Sequence, residues 1–497
     1  MKGLGVTVAA ATMLIGGAGS VYAADLSMST KAPVLKAADN STCTSISDFF
    51  LTNCQLAAYG VRIYGTVDVG GTYQTNGAPL DRFFPTGASY FQQKMNRQSM
   101  FGWGPNGLSQ SNLGIQVNES LGGGWKFVAQ YDFGFDPVTG EFANGPGSLV
   151  DNFGKAPGQQ TTNADSGRNG TFYNGQLFAG VSNDTWGTLT VGRNNSLTLD
   201  LVNAYDSMGG AYAFSPIGFS GKVPGGGNTE DTRINTSVKY RVNIANFRLS
   251  AIAQFGGIDA GNGAQSEFQA GAGGDFHVGP GLLSLDFVGG HATDAVNLGL
   301  SSLNGGTNNF LSATISDNTM FMAGAKYTVD RLKLFAGYEF VHYAAPSDTV
   351  SNSGKVGSAF DGINVMDGAN TGFNPVVVFT NQVDTKFQVA WAGARYAVTD
   401  AVEVSAAYYR YMNGQNATQN GALCLSSTSF DPANGVGADP SGCAGVMNAA
   451  SVMVDWKFAP KWDTYLGTFY SASAGGLANG FLSKDNLATT AGVRFRF

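Results

Sequence analysis

The chain has 497 residues, of which 43% are hydrophobic and only 13% are charged, whereas about 25% of residues are charged in an ordinary soluble domain. This deficit argues against a typical cytosolic enzyme, and 70 glycines with 15 prolines fit neither collagen nor a Pro-rich disordered chain. The formal net charge is −7 and there is no basic run, so nucleic acid is excluded as a partner. Extended β structure with glycine-bearing turns is the remaining class.

The first 23 residues have the pattern of an export signal. Lys2 precedes an apolar stretch over about 4–19, and Val21 and Ala23 are small residues three and one positions before a cut. The alternative, a membrane anchor, needs about 20 predominantly apolar residues, and this stretch is shorter and interrupted by glycines. We therefore predict that residues 1–23 are a signal peptide, whose loss makes the chain one unit more negative.

Residues 24–59 precede the first predicted strand and carry two of the four cysteines. Export places cysteines in an oxidising compartment. They fall as two local pairs, Cys43 with Cys54 and Cys424 with Cys443, which we predict to be separate disulfides, although four cysteines allow three connectivities. A zinc site is the weaker alternative, because neither pair has the short Cys-x2-Cys spacing or a nearby histidine. The segment is interpreted as a periplasmic or lumenal extension.

From Val61 onward, side-chain character alternates with a period of two, which places successive side chains on opposite faces of a strand. In 125–135, one face is apolar and aromatic while the other carries Lys126, Gln130 and Asp132. The connections alternate between tight turns and long loops rich in Gly, Asn, Ser and Thr. The pattern predicts sixteen strands, near 61–73, 111–120, 125–135, 171–183, 186–194, 232–242, 246–256, 266–279, 282–292, 319–329, 332–343, 384–398, 401–412, 448–459, 462–474 and 487–497.

An even number of such strands, each of 9 to 14 residues, favours an all-β transmembrane barrel over residues 60–497. In lipid every backbone amide must be paired within the protein, so a sheet spans a bilayer only as a closed barrel, with strands of roughly 9 to 11 residues. A soluble β-sandwich would show the same alternation, but its apolar faces would point inward and its polar faces outward. The tryptophans decide between them, because Trp125, Trp186, Trp456 and Trp462 all lie beside predicted short turns, as in an aromatic girdle at one interface.

Several stretches resemble the trimeric general diffusion porins of Gram-negative outer membranes, in particular the alphaproteobacterial type. They are YGTVDVG at 64–70, the hairpin at 111–135, the hairpin at 178–194, TRINTSVKYR at 232–241 and the terminal AGVRFRF at 491–497. Asn112 and Gln116 stand where many relatives carry basic residues, and the extension 24–59 is similar to an addition in some relatives.

The resemblance implies a sixteen-stranded antiparallel barrel, a homotrimer and a third extracellular loop, here about 195–231, folded into the lumen. It also implies that Phe497 is a signal for the outer-membrane assembly machinery, and that outer-membrane lipid and lipopolysaccharide are partners of the barrel. The expected location is the Gram-negative outer membrane.

A passive pore needs a narrow polar passage in which charge and width discriminate among solutes, and no catalytic residue, metal or cofactor. We expect acids in the loop to face bases on the wall, with Asp200 and Asp206 opposite Arg193 and Arg233 as the leading pairs. The candidate loop residues are Asp200, Asp206, Glu230 and Asp231, and the candidate wall residues are Arg62, Lys126, Arg193, Arg233, Lys239, Arg248, Arg494 and Arg496.

The predicted function is passive diffusion of ions and small hydrophilic solutes. The alternatives are a substrate-specific channel or a surface adhesin on the same barrel and, less favoured, a barrel enzyme. The chain has three histidines, and an outer-membrane hydrolase needs one held beside a carboxylate or serine. The negative net charge by itself suggests a mild preference for cations.

Overall fold

The computed structural model describes residues 42–77, 90, 98–140, 175–218, 233–255, 266–295, 298–300, 311–313, 316–344, 385–413, 430–431, 435–436, 445–475 and 483–497. Sixteen antiparallel strands form one closed ring. In chain order they are β1 (Val61–Gln74), β2 (Ser111–Gly122), β3 (Trp125–Phe135), β4 (Leu177–Asn183), β5 (Gly187–Asn195), β6 (Arg233–Ile244), β7 (Phe247–Gln254), β8 (Ser266–Val278), β9 (Gly281–Ala295), β10 (Ser316–Val329), β11 (Leu332–Ala344), β12 (Thr385–Ala397), β13 (Val402–Asn413), β14 (Gly445–Ala459), β15 (Trp462–Gly475) and β16 (Asp485–Arg496).

Each strand pairs with its neighbours in sequence, and β1 pairs with β16 from Thr66 with Arg496 to Gln74 with Ala488. The predicted barrel of sixteen strands is confirmed. Six short strands among the described residues were not predicted. Leu56–Ala58 pairs with the start of β1, and Met100–Pro105 pairs with its far half. The other four form two short pairs, Leu298–Leu300 with Leu311–Ala313 and Phe430–Asp431 with Gly435–Val436. Met100–Pro105 lies in the predicted loop 74–110 because its few residues, MFGWGP, show no apolar and polar alternation.

The two faces of the strands differ as the alternation requires. In β13, the even-numbered Ala406, Tyr408 and Arg410 are exposed, whereas the odd-numbered Ser405 and Tyr409 are buried. The exposed side chains lie on the outer face of the ring and the buried ones on its inner face. Trp125, Trp186 and Trp456 are exposed on the outer face beside the tight turns. Among the described residues, no helix has the length and apolar character to cross a membrane.

The N-terminal segment lies against the outer face at the short-turn end of the barrel. Cys43 and Cys54 form the predicted disulfide and enclose helix α1 (Ile46–Leu51). The rings of Phe49 and Phe50 contact Phe495, with centroids 5.6 and 5.4 Å apart. Because Phe495 alternates with the inward Arg494, this extension packs outside the wall, not in the lumen. Cys424 and Cys443 lie outside the described residues.

Two side chains of the β14–β15 turn hold α1 in place. Lys461 Nζ donates to the Phe49 carbonyl over 2.8 Å, and Trp462 Nε1 donates to the Phe50 carbonyl over 3.1 Å. Removal of the Lys461 ammonium from water lowers its pKa. Trp462 is therefore half-buried beneath the extension, unlike the other tryptophans beside the tight turns.

Candidate functional site

The segment 196–218 follows β5 and is almost completely buried. Ser196 caps helix α2 (Leu197–Tyr205), because its Oγ accepts the Leu199 amide over 3.1 Å. The helix ends at Tyr205, and the residue that caps it, Asp206, has an extended backbone. Gly209 and Gly210 then adopt φ values of 66° and 68°, a left-handed conformation that glycine takes without strain. The glycines thus turn the chain after the helix.

The segment is attached to the inner faces of strands far around the ring. Gln269 Oε1 of β8 accepts the Leu197 amide over 2.7 Å, and Trp391 Nε1 of β12 donates to the Tyr205 carbonyl over 3.0 Å. The ring of Phe214 meets that of Tyr465 in β15, with centroids 6.0 Å apart. A segment that begins at the fifth strand therefore has contacts as far as the fifteenth.

Tyr205 ties the end of α2 to charged residues on β7 and β9. Its hydroxyl donates to Asp286, and the same carboxylate accepts Arg248 Nη2 over 3.0 Å. Arg248 also pairs with Asp275. Burial, followed by the Asp286 charge, raises the pKa of Tyr205 above its ordinary value, so this hydroxyl remains a donor at neutral pH.

The two loop acids have different surroundings. Asp200 Oδ2 lies 2.5 Å from Lys239 Nζ and 3.9 Å from Arg241 Nη1. Neither contact involves the two arginines expected to face it. Its side chain keeps 22% of its surface exposed. Asp200 is thus a partly accessible member of an ion pair with β6.

Asp206 is buried, and most of its hydrogen bonds are to backbone amides of its own loop. Its carboxylate accepts the Met208 amide at 3.1 Å, the Gly210 amide at 2.8 Å and the Tyr409 hydroxyl at 2.6 Å. None of these three donors belongs to Arg193 or Arg233, the arginines expected to face this acid. Glu230 and Asp231 lie outside the described residues.

Most of the predicted wall bases have local partners. Arg193 is buried and donates to the Gly175 carbonyl over 2.9 Å and to Asn235, while Arg233 is also buried. Arg494 and Arg496 share the carboxylate of Asp463. Arg62 and Lys126 lie on inward positions near the tight turns, and Lys126 is 3.6 Å from Asp184. The charges of Arg494 and Arg496 are thus partly compensated inside the wall.

Three further wall residues that contact the segment, Trp391, Arg395 and Tyr409, are not among those predicted from the sequence. Arg395 Nε donates to the Ser207 carbonyl, and Trp391 and Tyr409 are directly paired across β12 and β13. Aromatic residues at alternate positions indicate one face of a strand, but period two does not say which face is inner. Only the attached segment reveals that these aromatics point inward.

The described residues contain no group of three or more His, Cys, Asp or Glu side chains that could hold a metal ion. His291 lies on the outer face, and its Nδ1 is 2.9 Å from Thr319 Oγ1. The polar inner face instead offers charges and dipoles beside a buried segment. This arrangement can sort solutes by size and charge.

A family model described as Gram-negative porin matches residues 7–468. Among curated proteins, none matches the chain. The barrel is similar to the anion-selective porin from Comamonas acidovorans, at 15% identity and a TM-score of 0.52, covering 88% of this chain and 99% of that one. It is also similar to in-vitro folded OmpT, an outer membrane protein of Vibrio cholerae, at 13% identity and a TM-score of 0.51, covering 89% and 99%. At these identities the two structures show a shared fold.

Proposed function

The chain belongs to the Gram-negative porin family, and from this premise we propose that the segment 196–218 is the constriction loop that sets the width of its channel. The protein is an outer-membrane β-barrel that lets ions and small hydrophilic solutes diffuse passively. The family and the fold point to a channel rather than to an enzyme. Residues 1–23 are the export signal in this proposal.

One observation carries the proposal: the segment leaves β5 and bonds to inner-face residues of β8, β12 and β13. A chain held at both sides of a ring reduces the area open to solutes. Partly exposed charges remain on both sides of the opening: Asp200 of the segment lies near Arg241 of the wall, and Asp275 pairs with Arg248 on the wall. Solutes pass these charges, which favours small hydrophilic molecules.

We propose that the working unit is a homotrimer in the outer membrane. The outer face of each barrel is apolar, with Val452, Val454 and Leu466 exposed on neighbouring strands. Such a face requires lipid or another apolar face. Outer-membrane phospholipid and lipopolysaccharide cover the remainder, and the assembly machinery inserts the chain through its C-terminal strand.

Planar-bilayer recording tests the proposal with Asp206→Ala. This change removes the acceptor of three hydrogen bonds, so the segment is held less tightly and the single-channel conductance is expected to rise. Asp400→Ala is the matched control, because Asp400 pairs with Arg331 at the exposed rim over 3.2 Å. Heat-resistant trimers and unchanged circular dichroism establish that each variant is folded, and Tyr409→Phe serves as a milder loosening.

The wild-type protein should give large ohmic steps that come in threes. Saturable block by a single sugar would instead favour the substrate-specific channel, and silence would favour an adhesin or an enzyme. If Asp206→Ala and Tyr409→Phe both conduct as wild type does, the segment is not the narrowest part of the channel.

A further inference from the structure

Three basic side chains surround Phe335 on the inner face near the tight turns; we name Lys326, Lys333, Phe335 and Arg395 the Phe335 cluster. Lys326 is directly paired with Phe335 across β10 and β11, and Lys333 is directly paired with Arg395 across β11 and β12. The Arg395 guanidinium lies 5.3 Å from the centroid of the Phe335 ring. None of the four is among the functional residues predicted from the sequence.

All four side chains point into the barrel. Phe335 is buried while Leu334 is 45% exposed, so odd positions of β11, including Lys333, face inward. Arg395 is buried beside the exposed Tyr396. Lys326 Nζ lies 5.7 Å from the centroid of the Tyr205 ring, which places it beneath the end of α2. The Phe335 cluster therefore lies on the short-turn side of the loop.

The acids near this cluster are largely occupied. Asp275 and Asp286 both pair with Arg248. Glu403 lies 4.0 Å from Arg395, whose own guanidinium donates to the Ser207 and Asp206 carbonyls. Within the part of the chain that the structure describes, Lys326 and Lys333 form no ion pair. Of these three acids, Glu403 alone lies within ion-pair distance of a member of the cluster.

This grouping of basic side chains is unfavourable when no anion is bound. Like charges directly opposite each other on paired strands are destabilising, as Lys333 and Arg395 are. The lysines are half-buried, and the nearby Phe335 and Tyr205 rings cannot replace a full counterion. A small anion relieves this repulsion, and flexible ammonium groups with three donors each adapt to carboxylate or phosphate oxygens.

We propose that the Phe335 cluster is a binding site for small anions of the carboxylate or phosphate class, and that it lies on the short-turn side of the constriction. The proposal rests on the proposed function, since the anion must reach the cluster through the channel. It also reverses the expectation from net charge: the chain carries −7, yet this part of its inner wall is cationic.

The test uses the full-length trimer in planar bilayers with Lys326→Gln/Lys333→Gln. Two readouts are taken at low ionic strength: the zero-current potential across a KCl gradient, and the block of KCl current by inorganic pyrophosphate. The glutamine variant should shift the potential towards cation permeability and weaken the pyrophosphate block about tenfold, because two charges are lost.

Two controls separate charge from structure. Lys326→Arg/Lys333→Arg keeps both charges, and Lys386→Gln removes a lysine that is exposed on the outer face of β12; both should behave as wild type. If the glutamine variant keeps the wild-type zero-current potential and the wild-type pyrophosphate block, the proposed anion site is wrong. A wild-type protein that forms no channel overturns the proposed function instead. If the double variant yields no channels, the single variants Lys326→Gln and Lys333→Gln are judged by the same two readouts.

Discussion

At the scale of single residues, the two loop acids show that position in a sequence does not fix the role of a charge. Asp206 bonds two amides of its own turn and a tyrosine of the wall, whereas Asp200 is partly exposed beside Lys239 and Arg241. Only an accessible charge acts on a passing ion. Of these two acids, therefore, we expect Asp200 to be the one that affects selectivity directly.

We predict that Asp200→Asn shifts ion selectivity towards anions. Asparagine keeps an oxygen acceptor for Lys239 but removes the negative charge, which leaves Lys239 and Arg241 uncompensated. The effect should fade as salt rises, because exposed charges are screened beyond about 10 Å at 0.1 M ionic strength. The zero-current potential across a KCl gradient measures it.

Asp330→Asn is the matched control for Asp200→Asn. Asp330 lies in an exposed tight turn with φ of 48°, a conformation that asparagine also tolerates. Its loss should leave the potential unchanged. A potential that Asp200→Asn fails to move even at low salt would show that this acid does not act on the permeating ions.

At the scale of elements, the described part of the N-terminal extension, residues 42–58, packs across the end of the barrel, and we name it the clamp. Its short strand Leu56–Ala58 pairs with β1, and α1 covers the outer side of β15 and β16. These strands flank the junction where the first and last strands of the ring meet. The Cys43–Cys54 disulfide fixes α1 next to that junction.

We predict that Cys43→Ser/Cys54→Ser lowers the thermal stability of the barrel. A disulfide that closes a loop of this size stabilises by roughly 3 kcal/mol in the chain-entropy model. Melting followed by circular dichroism in detergent measures the change, and reduction of the wild-type protein should reproduce it.

Lys461→Met offers a second check of the clamp. It removes the hydrogen bond to the Phe49 carbonyl and the ammonium contacts with the sulfurs of Cys43 and Cys54 at 4.0 and 3.9 Å, but it leaves the disulfide in place. It should lower the melting temperature by less than the cysteine change. Equal melting of all the variants and wild type would mean that the clamp adds nothing to barrel stability. Cys424–Cys443 stays a prediction, which peptide mapping without reduction resolves.

At the scale of the whole molecule, the terminal residue closes the ring. Phe497 and Gly65 exchange two backbone hydrogen bonds of 3.0 and 3.1 Å, so the chain end is paired with the first strand. The Phe497 ring packs on Phe495 and Phe49, with centroids 5.6 and 5.1 Å away. Its backbone closes the barrel while its side chain contacts the clamp.

We predict that Phe497→Ser lowers the outer-membrane yield but leaves the conductance of the surviving trimers near wild type. Serine keeps the backbone pairing with Gly65, and the side chain lies on the outer face, away from the solute path. Quantifying the heat-resistant trimer in isolated outer membranes, followed by bilayer recording, measures both quantities. Phe497→Tyr should behave as wild type in both. Normal yield with altered conductance would contradict this view of Phe497.

The sequence by itself determined the sixteen barrel strands and made Cys43–Cys54 the expected disulfide. A strand that is apolar on one face and polar on the other carries its period locally, and tight turns alternate with long loops along the chain. Cys43 and Cys54 are only 11 residues apart, so proximity along the chain brings them together. The short strand Met100–Pro105 was missed because it has no such period.

Only the tertiary structure decided which charges meet. Asp206 and Tyr409 are separated by 203 residues, and Arg395 reaches the Ser207 carbonyl across 188. The position of the segment depends on many such contacts, none of which has a local pattern. The same holds for Lys333 and Arg395, whose pairing depends on the register of β11 and β12, two strands separated by 40 residues of chain. Alternation along the sequence shows which residues share a face of a strand. Which side chains lie next to each other on that face depends on how the strands pair around the closed ring. Those neighbours decide whether a charge is neutralised or left to act on a solute.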